Sequence, residues 1–439
     1  MKNVLVFGAG RVAAPAVRTL LAKGHRVTVV DPVRENAERV VGGHPRGKVV
    51  VGSVLADGQR LVDEDRPDII VSLLPVALAE DAIRLSIANR IDQVCPLYLN
   101  TANHLEKDIL DAGITVLGEV GLDPGIDHIS ATRKIREIHA AGGEVESFWS
   151  VCGSLPDYPA NTNPLGYKLS WAPESLVGAS VRDAVMLVEG RKVTFAGGEA
   201  FRQYSLDEIE GLGWFEVYAN ADATPYVERY GMPEVRNVFR GTLRFVGWCD
   251  FVLATRDLGL YTQDIHDFSG LTFAGLLKKI SAARPGQPVE EAVAAFTGLP
   301  PHCLTVKQMK WLGLFDERPI PFGSGSNRDV LTRLYYEKLL LGADERDLVV
   351  MQHRYGVRYP KTGRRVLMTS TLVDRGGAGE DTSIARTTGT PFGIGANLIL
   401  EGRVSDHGLI GPTVPSINDP MLEELERMGI RFVETEKEI

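Results

Sequence analysis

Met1-Lys2-Asn3-Val4-Leu5-Val6-Phe7-Gly8-Ala9-Gly10 opens the chain, and its reading decides the fold. Val4 to Phe7 is an unbroken apolar run, the pattern of a parallel strand buried on both faces. It stops at Gly8-Ala9-Gly10. A helical pattern follows from Val12 to Leu21, and a second apolar run, Val27 to Val30, ends on Asp31. Strand, glycine turn, helix, strand and terminal acid is the layout of a dinucleotide site. Gly8 permits the tight turn, and Gly10 permits close approach of the backbone to a pyrophosphate. Arg11 and Val12 lead into a helix whose first N–H groups carry partial positive charge toward phosphates. Asp31 stands where a carboxylate accepts hydrogen bonds from both ribose hydroxyls of an adenosine. The third glycine position holds Ala13, which still lets helix and strand pack closely.

Working outward, strands are expected at 48–51, 68–74, 91–97 and 114–117, with helices at 33–41, 77–89 and 102–112. This alternation predicts an α/β fold with a Rossmann-type, doubly wound parallel sheet. Ligands of such a sheet lie beyond the carboxyl ends of its strands. That edge carries Gly8, Asp31, Ser53, Ser72 to Pro75 and Glu119, so Ser53, Leu73, Leu74 and Pro75 join the expected cofactor contacts. Asp31 repels a 2′-phosphate and favours NAD. Arg34 close behind it is a receptor for that phosphate if NADP is used instead.

From Gly121 the texture changes to a turn-rich segment, a helix over 126–140, and alternating stretches typical of a mixed sheet at 145–151, 192–195, 215–218 and 242–247. Helical patterns near 271–282, 289–295 and 329–341 mark a small helical part. Late strands are expected at 349–355 and 364–372, a helix interrupted by glycines and Pro391 at 383–401, and an amphipathic helix at 420–428. The expected division starts with a dinucleotide-binding domain, 1–122. A second α/β domain, 123–384, has a helical insertion at about 265–345.

With 439 residues, 44% hydrophobic and 24% charged, the chain suits a globular protein of more than one domain. No apolar stretch reaches the roughly 18 residues of a membrane span, and no signal peptide is read at the N-terminus. The four cysteines, Cys95, Cys152, Cys249 and Cys303, make no Cys-x-x-Cys or metal-ligand pattern, so reduced thiols in the cytoplasm are expected. A net charge of −9 argues against nucleic acid as a partner. An anionic small-molecule substrate must then meet a local group of cationic side chains.

Several strings resemble the saccharopine dehydrogenase (saccharopine reductase) family: Gly8-Ala9-Gly10-Arg11-Val12, Ser72-Leu73-Leu74-Pro75, Gly121-Leu122-Asp123-Pro124-Gly125-Ile126-Asp127-His128, Cys152-Gly153-Ser154-Leu155-Pro156, Asn163-Pro164-Leu165-Gly166-Tyr167-Lys168 and Arg240-Gly241-Thr242-Leu243-Arg244. Ala385 to Pro391 and Gly408 to Pro412 extend the likeness into the tail. The resemblance implies a homodimer, a nicotinamide cofactor and a C-terminal segment, about 385–439, that returns to the dinucleotide-binding domain. It implies oxidation of saccharopine, a secondary amine joining lysine and glutamate skeletons, to aminoadipate semialdehyde and glutamate. A carboxynorspermidine or opine-like coupling, or a dinucleotide sensor without turnover, are the alternatives.

Such chemistry needs a general acid/base for the imine step. Asp123, in a turn beyond the last sheet strand, is the first candidate, and capping of the helix after Pro124 is its structural alternative. Cys152, at the end of an apolar run before a Gly-Ser-Leu-Pro turn, is either a proton shuttle or a buried small hydrophobe. Saccharopine carries three carboxylates, and arginine binds carboxylates bidentately. Arg244, alternating with apolar neighbours on a strand, is the chosen ligand, with Lys168 and Asn163 sharing the anion and Trp171 walling the aliphatic chain. Tyr98, Arg386 and Asn220 are further pocket candidates. After the fifth strand the family shows a Thr/Ser-rich stretch before a tyrosine, whereas here Cys95-Pro96-Leu97-Tyr98 puts Leu97 where a hydroxyl is usual.

Overall fold

The computed structural model describes the backbone of all residues except 171 and 172, and no side chain between 171 and 175. The expectation for Trp171 therefore lies outside the described residues. The chain forms two compact units: Met1–Val145 with Glu228–Glu234 and Gly356–Ile439, and Glu146–Val227 with Val235–Tyr355.

The first unit begins β1 (Asn3–Phe7), α1 (Ala13–Ala22), β2 (Arg26–Asp31), α2 (Arg34–Val41), β3 (Gly47–Val51), α3 (Val54–Asp65), β4 (Ile69–Ser72) and α4 (Val76–Asn89). It continues with β5 (Asp92–Val94), α5 (Leu99–Ala102), α6 (Glu106–Ala112), β6 (Thr115–Leu117) and α7 (Ile126–Ala140). Its C-terminal part supplies β16 (Arg364–Arg375), α15 (Ser383–Leu400), β17 (Gly408–Ile410), α16 (Pro415–Arg427) and β18 (Phe432–Glu438). Seven parallel strands run in the order β17-β6-β5-β4-β1-β2-β3. The returning tail thus adds a strand to the expected six. It pairs Gly408 to Ile410 with Thr115 to Leu117.

Three differences from the sequence reading have physical causes. First, α3 follows no strong apolar period and carries Gly58 in its interior. It forms because Ser53 accepts the Ala56 N–H at its start. Second, α15 is continuous through Pro391 rather than interrupted. Its glycines serve packing: a Cβ on Gly389 would lie 2.2 Å from the Val12 carbonyl oxygen, and one on Gly393 2.7 Å from that of Ala16. Small residues therefore let α15 lie directly on α1. Third, segments 123–145 and 356–384, which the sequence division places with the substrate domain, belong to the first unit, where α7 packs against α16.

The second unit contains β7 (Glu144–Pro156, its first two residues counted with the first unit), α8 (Pro173–Ala179), β8 (Ala184–Val188), β9 (Arg191–Phe195), β10 (Ser205–Ile209), β11 (Gly213–Ala219), α9 (Tyr226–Arg229, ending in the first unit), β12 (Asn237–Phe245) and α10 (Trp248–Asp257). The short hairpin β13 (Ile265–Asp267) and β14 (Ser324–Ser326), helices α11 (Phe273–Ile280), α12 (Val289–Thr297), α13 (Leu304–Leu312) and α14 (Asn327–Lys338), and β15 (Asp347–Tyr359, its last four residues counted with the first unit) complete it. Its sheet runs β10-β11-β12-β7-β15, with β8 and β9 attached to β12. One large apolar core joins sheet and helices, with Trp248, Tyr167, Phe251 and Tyr335 among its fully buried side chains. Among the described residues no helix is long and apolar enough to cross a membrane.

Candidate active site

In the first unit the glycine turn ends β1. Gly8 has φ +96°, and a Cβ there would stand 2.8 Å from the Leu73 carbonyl oxygen, so the end of β4 excludes any side chain. Leu73 closes the same corner by donating its N–H to the Phe7 carbonyl. Gly10 differs: a Cβ there would meet no protein atom within 4 Å. The protein itself does not need glycine at that position, but a phosphate lying against the backbone does. The N-terminus of α1 has no side-chain cap, which leaves its N–H groups for an anion. These observations fit a dinucleotide.

Asp31 is more committed than the sequence suggests. Its carboxylate accepts the Ala9 N–H at 2.9 Å, the Val33 N–H at 2.9 Å and the Asn36 amide at 3.4 Å. It ties the glycine turn to the start of α2. Arg39 reinforces this, donating to the Ala9 carbonyl at 2.7 Å. Arg34 is exposed, with Glu38 at 3.6 Å as an ion-pair partner. Ser53 is the N-cap of α3 and donates its own N–H to Asp57, so its polar groups serve the fold. Pro75 occupies the N-cap of α4.

Beyond β5 and β6 lies a buried polar cluster that sequence reasoning missed as a unit: Glu119 stands on the expected sheet edge, and His128 ends one of the family strings. Glu119, with φ +54°, accepts the Leu99 N–H at 3.1 Å and pairs with Arg229; its carboxylate is 3.5 Å from His128 Nε2. His128 Nδ1 lies 2.6 Å from the Tyr230 hydroxyl and 3.4 Å from the Asp127 carboxylate. Burial alone would raise the Glu119 carboxyl, but hydrogen bonds from His128 and Arg229 hold it down at about 2. Burial lowers His128 to about 4 and raises Asp127 to about 7, the latter against the N–H of Gly125. The imidazole is therefore neutral at neutral pH. With Glu119 ionised, Nε2 carries the proton toward it and Nδ1 accepts from Tyr230.

Asp123 sits at the carboxyl edge in the turn Gly121 to Gly125, joined to Pro124 by a cis peptide bond. The helix that follows, α7, starts at Ile126 with Gly125 as its N-cap, and Asp127 takes the Gly125 N–H at 2.6 Å.

In the second unit, Cys152 lies inside β7 rather than before a turn, because the strand continues through Gly153-Ser154-Leu155-Pro156. Gly153 is required there: a Cβ would meet Leu243 at 2.8 Å. Cys152 is buried beside Thr242 of β12. Lys168 pairs with Glu345. Asn163 spends its side chain in its own turn, accepting the Leu165 N–H and donating to the Tyr167 carbonyl. Tyr98 is 40% exposed, and Arg386 pairs with Asp374.

Arg244 behaves differently. It is 6% exposed, stacks 4.9 Å over the Tyr167 ring and donates to the Leu243 carbonyl. Among the described residues it has no carboxylate within ion-pair distance, and its Nε has no partner. It lines a cavity of about 80 Å3 together with Asn220, Tyr218, Thr242 and Arg182. A buried cation that the fold leaves unpaired needs an anion; this cavity has room for a carboxylate head.

Comparison with known proteins decides the family. Residues 4–117 match the Saccharopine dehydrogenase NADP binding domain, and residues 121–430 the Saccharopine dehydrogenase C-terminal domain. The chain belongs to the saccharopine dehydrogenase family. It is 34% identical to the Saccharopine dehydrogenase [NADP(+), L-glutamate-forming] of Pyricularia oryzae, covering 99% of this chain and 98% of that one. It is also 34% identical to the enzyme of that name from Saccharomyces cerevisiae, covering 99% of each. Alpha-aminoadipic semialdehyde synthase of Bos taurus is 33% identical over 98% of this chain but only 47% of its own length. The apo saccharopine dehydrogenase (L-Glu forming) structure from Saccharomyces cerevisiae superposes with a TM-score of 0.89 at 33% identity, covering all of both chains. As a member of this family the protein is an oxidoreductase with a nicotinamide cofactor.

Proposed function

We propose that the protein oxidises saccharopine with NADP+ to aminoadipate semialdehyde and glutamate. The full-length likeness to L-glutamate-forming saccharopine dehydrogenases supports this substrate. The observation in the molecule that carries it is the buried, unpaired guanidinium of Arg244 on a cavity sized for a carboxylate. A polyamine would call for acidic groups at that wall instead.

The reaction balances as saccharopine, water and NADP+ giving the semialdehyde, glutamate, NADPH and a proton. The carbon beside the secondary amine loses a hydride, and the resulting imine adds water and splits at the C–N bond. When bound, the nicotinamide supplies the acceptor for that hydride. Gly8 and Gly10 shape the phosphate turn, and the uncapped N-terminus of α1 would hold the pyrophosphate. Asp123 takes and returns the protons of the amine and the added water. Arg244 fixes one substrate carboxylate, and Asn220 adds a hydrogen bond at the same wall.

The choice of NADP replaces the preference for NAD that Asp31 suggested. That preference assumed a carboxylate free for ribose hydroxyls, whereas Asp31 is held by Ala9, Val33 and Asn36. The match to an NADP binding domain supports the same choice, with exposed Arg34 as the phosphate receptor. The test is absorbance of the reduced nicotinamide on mixing purified protein, NADP+ and saccharopine. A rise is expected. Nucleotide binding without turnover of any secondary amine would sink the proposal in favour of a sensor, and turnover confined to another carboxyalkyl-amine would shift the substrate.

A further inference from the structure

Glu119 is a buried, ion-paired carboxylate for which this chemistry has no use. It follows β6 on the carboxyl edge of the first unit's sheet, and it bonds to segments far apart in the sequence. One carboxylate oxygen accepts the Leu99 N–H at 3.1 Å, and its own backbone N–H donates to the Leu97 carbonyl at 3.1 Å. Tyr98 is thus bracketed on both sides by bonds to a single residue. The other carboxylate oxygen pairs with Arg229 and faces His128 Nε2 at 3.5 Å.

His128 stands on the first turn of α7, directly after the turn that carries Asp123. That turn is closed by Gly121 N–H to the Pro124 carbonyl and Ile126 N–H to the Gly121 carbonyl, both 2.9 Å, and by Gly125 N–H to Asp127 at 2.6 Å. One carboxylate therefore links the loop bearing Tyr98 to the helix start that anchors Asp123.

We infer that Glu119 is a positioning residue, whose ionised carboxylate fixes the Tyr98 loop and the Asp123 turn relative to each other. The inference rests on the proposed dehydrogenase reading, since it assigns these loops to the reacting edge. Glutamine has the size of glutamate but one acceptor oxygen. If that oxygen takes the Leu99 N–H, the NH2 group is set against the Arg229 guanidinium, donor against donor.

The experiment uses full-length Glu119→Gln beside the wild type. It measures kcat and KM for saccharopine with NADP+, the NADP+ dissociation constant by protein fluorescence, and hydrogen–deuterium exchange across 97–99 and 121–125. The expected result is a kcat loss per folded molecule of about 100-fold. The NADP+ dissociation constant stays within about threefold, and exchange quickens in those two segments. An unchanged kcat per folded molecule overturns the inference, as does a loss shared equally by kcat and nucleotide binding. If the wild type binds nucleotide but does not oxidise saccharopine, the functional reading fails by that result alone. Exchange then decides the role of Glu119: quickening in both segments supports it, and no change overturns it. Should Glu119→Gln not fold, Tyr230→Phe removes the hydroxyl on His128 Nδ1 and keeps the Glu119 charge. A smaller kcat loss with NADP+ affinity retained is then expected, and wild-type kcat and exchange overturn the inference.

Discussion

Arg244 stands directly opposite Glu216 in the β11–β12 register, yet the two side chains do not pair. Glu216, 1% exposed, turns its carboxylate to the start of α10 and accepts the Gly247 and Cys249 N–H groups, both at 2.7 Å. The helix N-terminus takes the anion that the cross-strand position offered to the arginine. The guanidinium is left with an aromatic ring and one carbonyl.

That relationship gives opposite expectations for the two residues. Arg244→Met should lower kcat/KM for saccharopine about 10- to 100-fold, the worth of a charge-assisted carboxylate bond. It should leave Tm unchanged or raised, because a buried unpaired cation is removed. Glu216→Gln should instead lower stability by about 1–3 kcal/mol, since one of two backbone N–H groups loses its acceptor. Steady-state kinetics and calorimetry on both variants check the pair.

Asp127 predicts a pH signature. Burial raises its folded value to about 7 from an ordinary 3.8. A raised carboxyl costs stability as pH climbs from the unfolded value to the folded one, and the full cost persists above. Asp127→Asn removes that cost and keeps an oxygen for the Gly125 N–H. Its stability relative to wild type should therefore rise between pH 4 and pH 7 and level off beyond, as read by urea unfolding across that range. A constant difference would contradict the assignment.

His128 should act in the opposite direction. Its folded value of about 4 lies below the ordinary 6.5, so the unfolded chain takes up a proton first as pH falls. Stability is present above pH 6.5 and is lost toward pH 4. His128→Gln should flatten that acid limb in the same unfolding series.

The α1–α15 contact makes the glycines of α15 sensitive. Gly389→Ala puts a methyl 2.2 Å from the Val12 carbonyl oxygen, a backbone atom that cannot swing aside. A loss of about 1–3 kcal/mol is expected from overpacking. NADP+ affinity should weaken as well, because Val12 is the N-cap of the helix that faces the phosphates. Thermal unfolding and a nucleotide titration report the two effects.

Arg34→Ala tests cofactor choice. Loss of a charge-assisted phosphate contact should cut kcat/KM with NADP+ by about 10- to 100-fold, while kcat/KM with NAD+ hardly changes. An equal loss with both cofactors would place the phosphate elsewhere.

The strands β1 to β6 and the helices α1, α2, α4, α6 and α7 were legible in the chain, from apolar runs that end near glycine, proline or an acid, whereas α3, β17 and β18 were not. The glycine turn, Asp31 and the helix at 126–140 came from the same local signals, and the family strings supplied the choice of reaction. Tertiary structure decided what each polar group does. Asp31 and Ser53 look free in the sequence but are bonded within the fold, and Lys168 and Asn163 meet partners in Glu345 and their own turn. Arg244 alone of the proposed carboxylate ligands kept its charge unpaired. The Glu119–His128–Arg229–Tyr230 cluster joins residues more than a hundred positions apart. A period of two or 3.6 reports which face of an element is apolar. It carries no information on which distant side chain will meet a buried charge, and that meeting determines whether the charge is structural or available to a ligand.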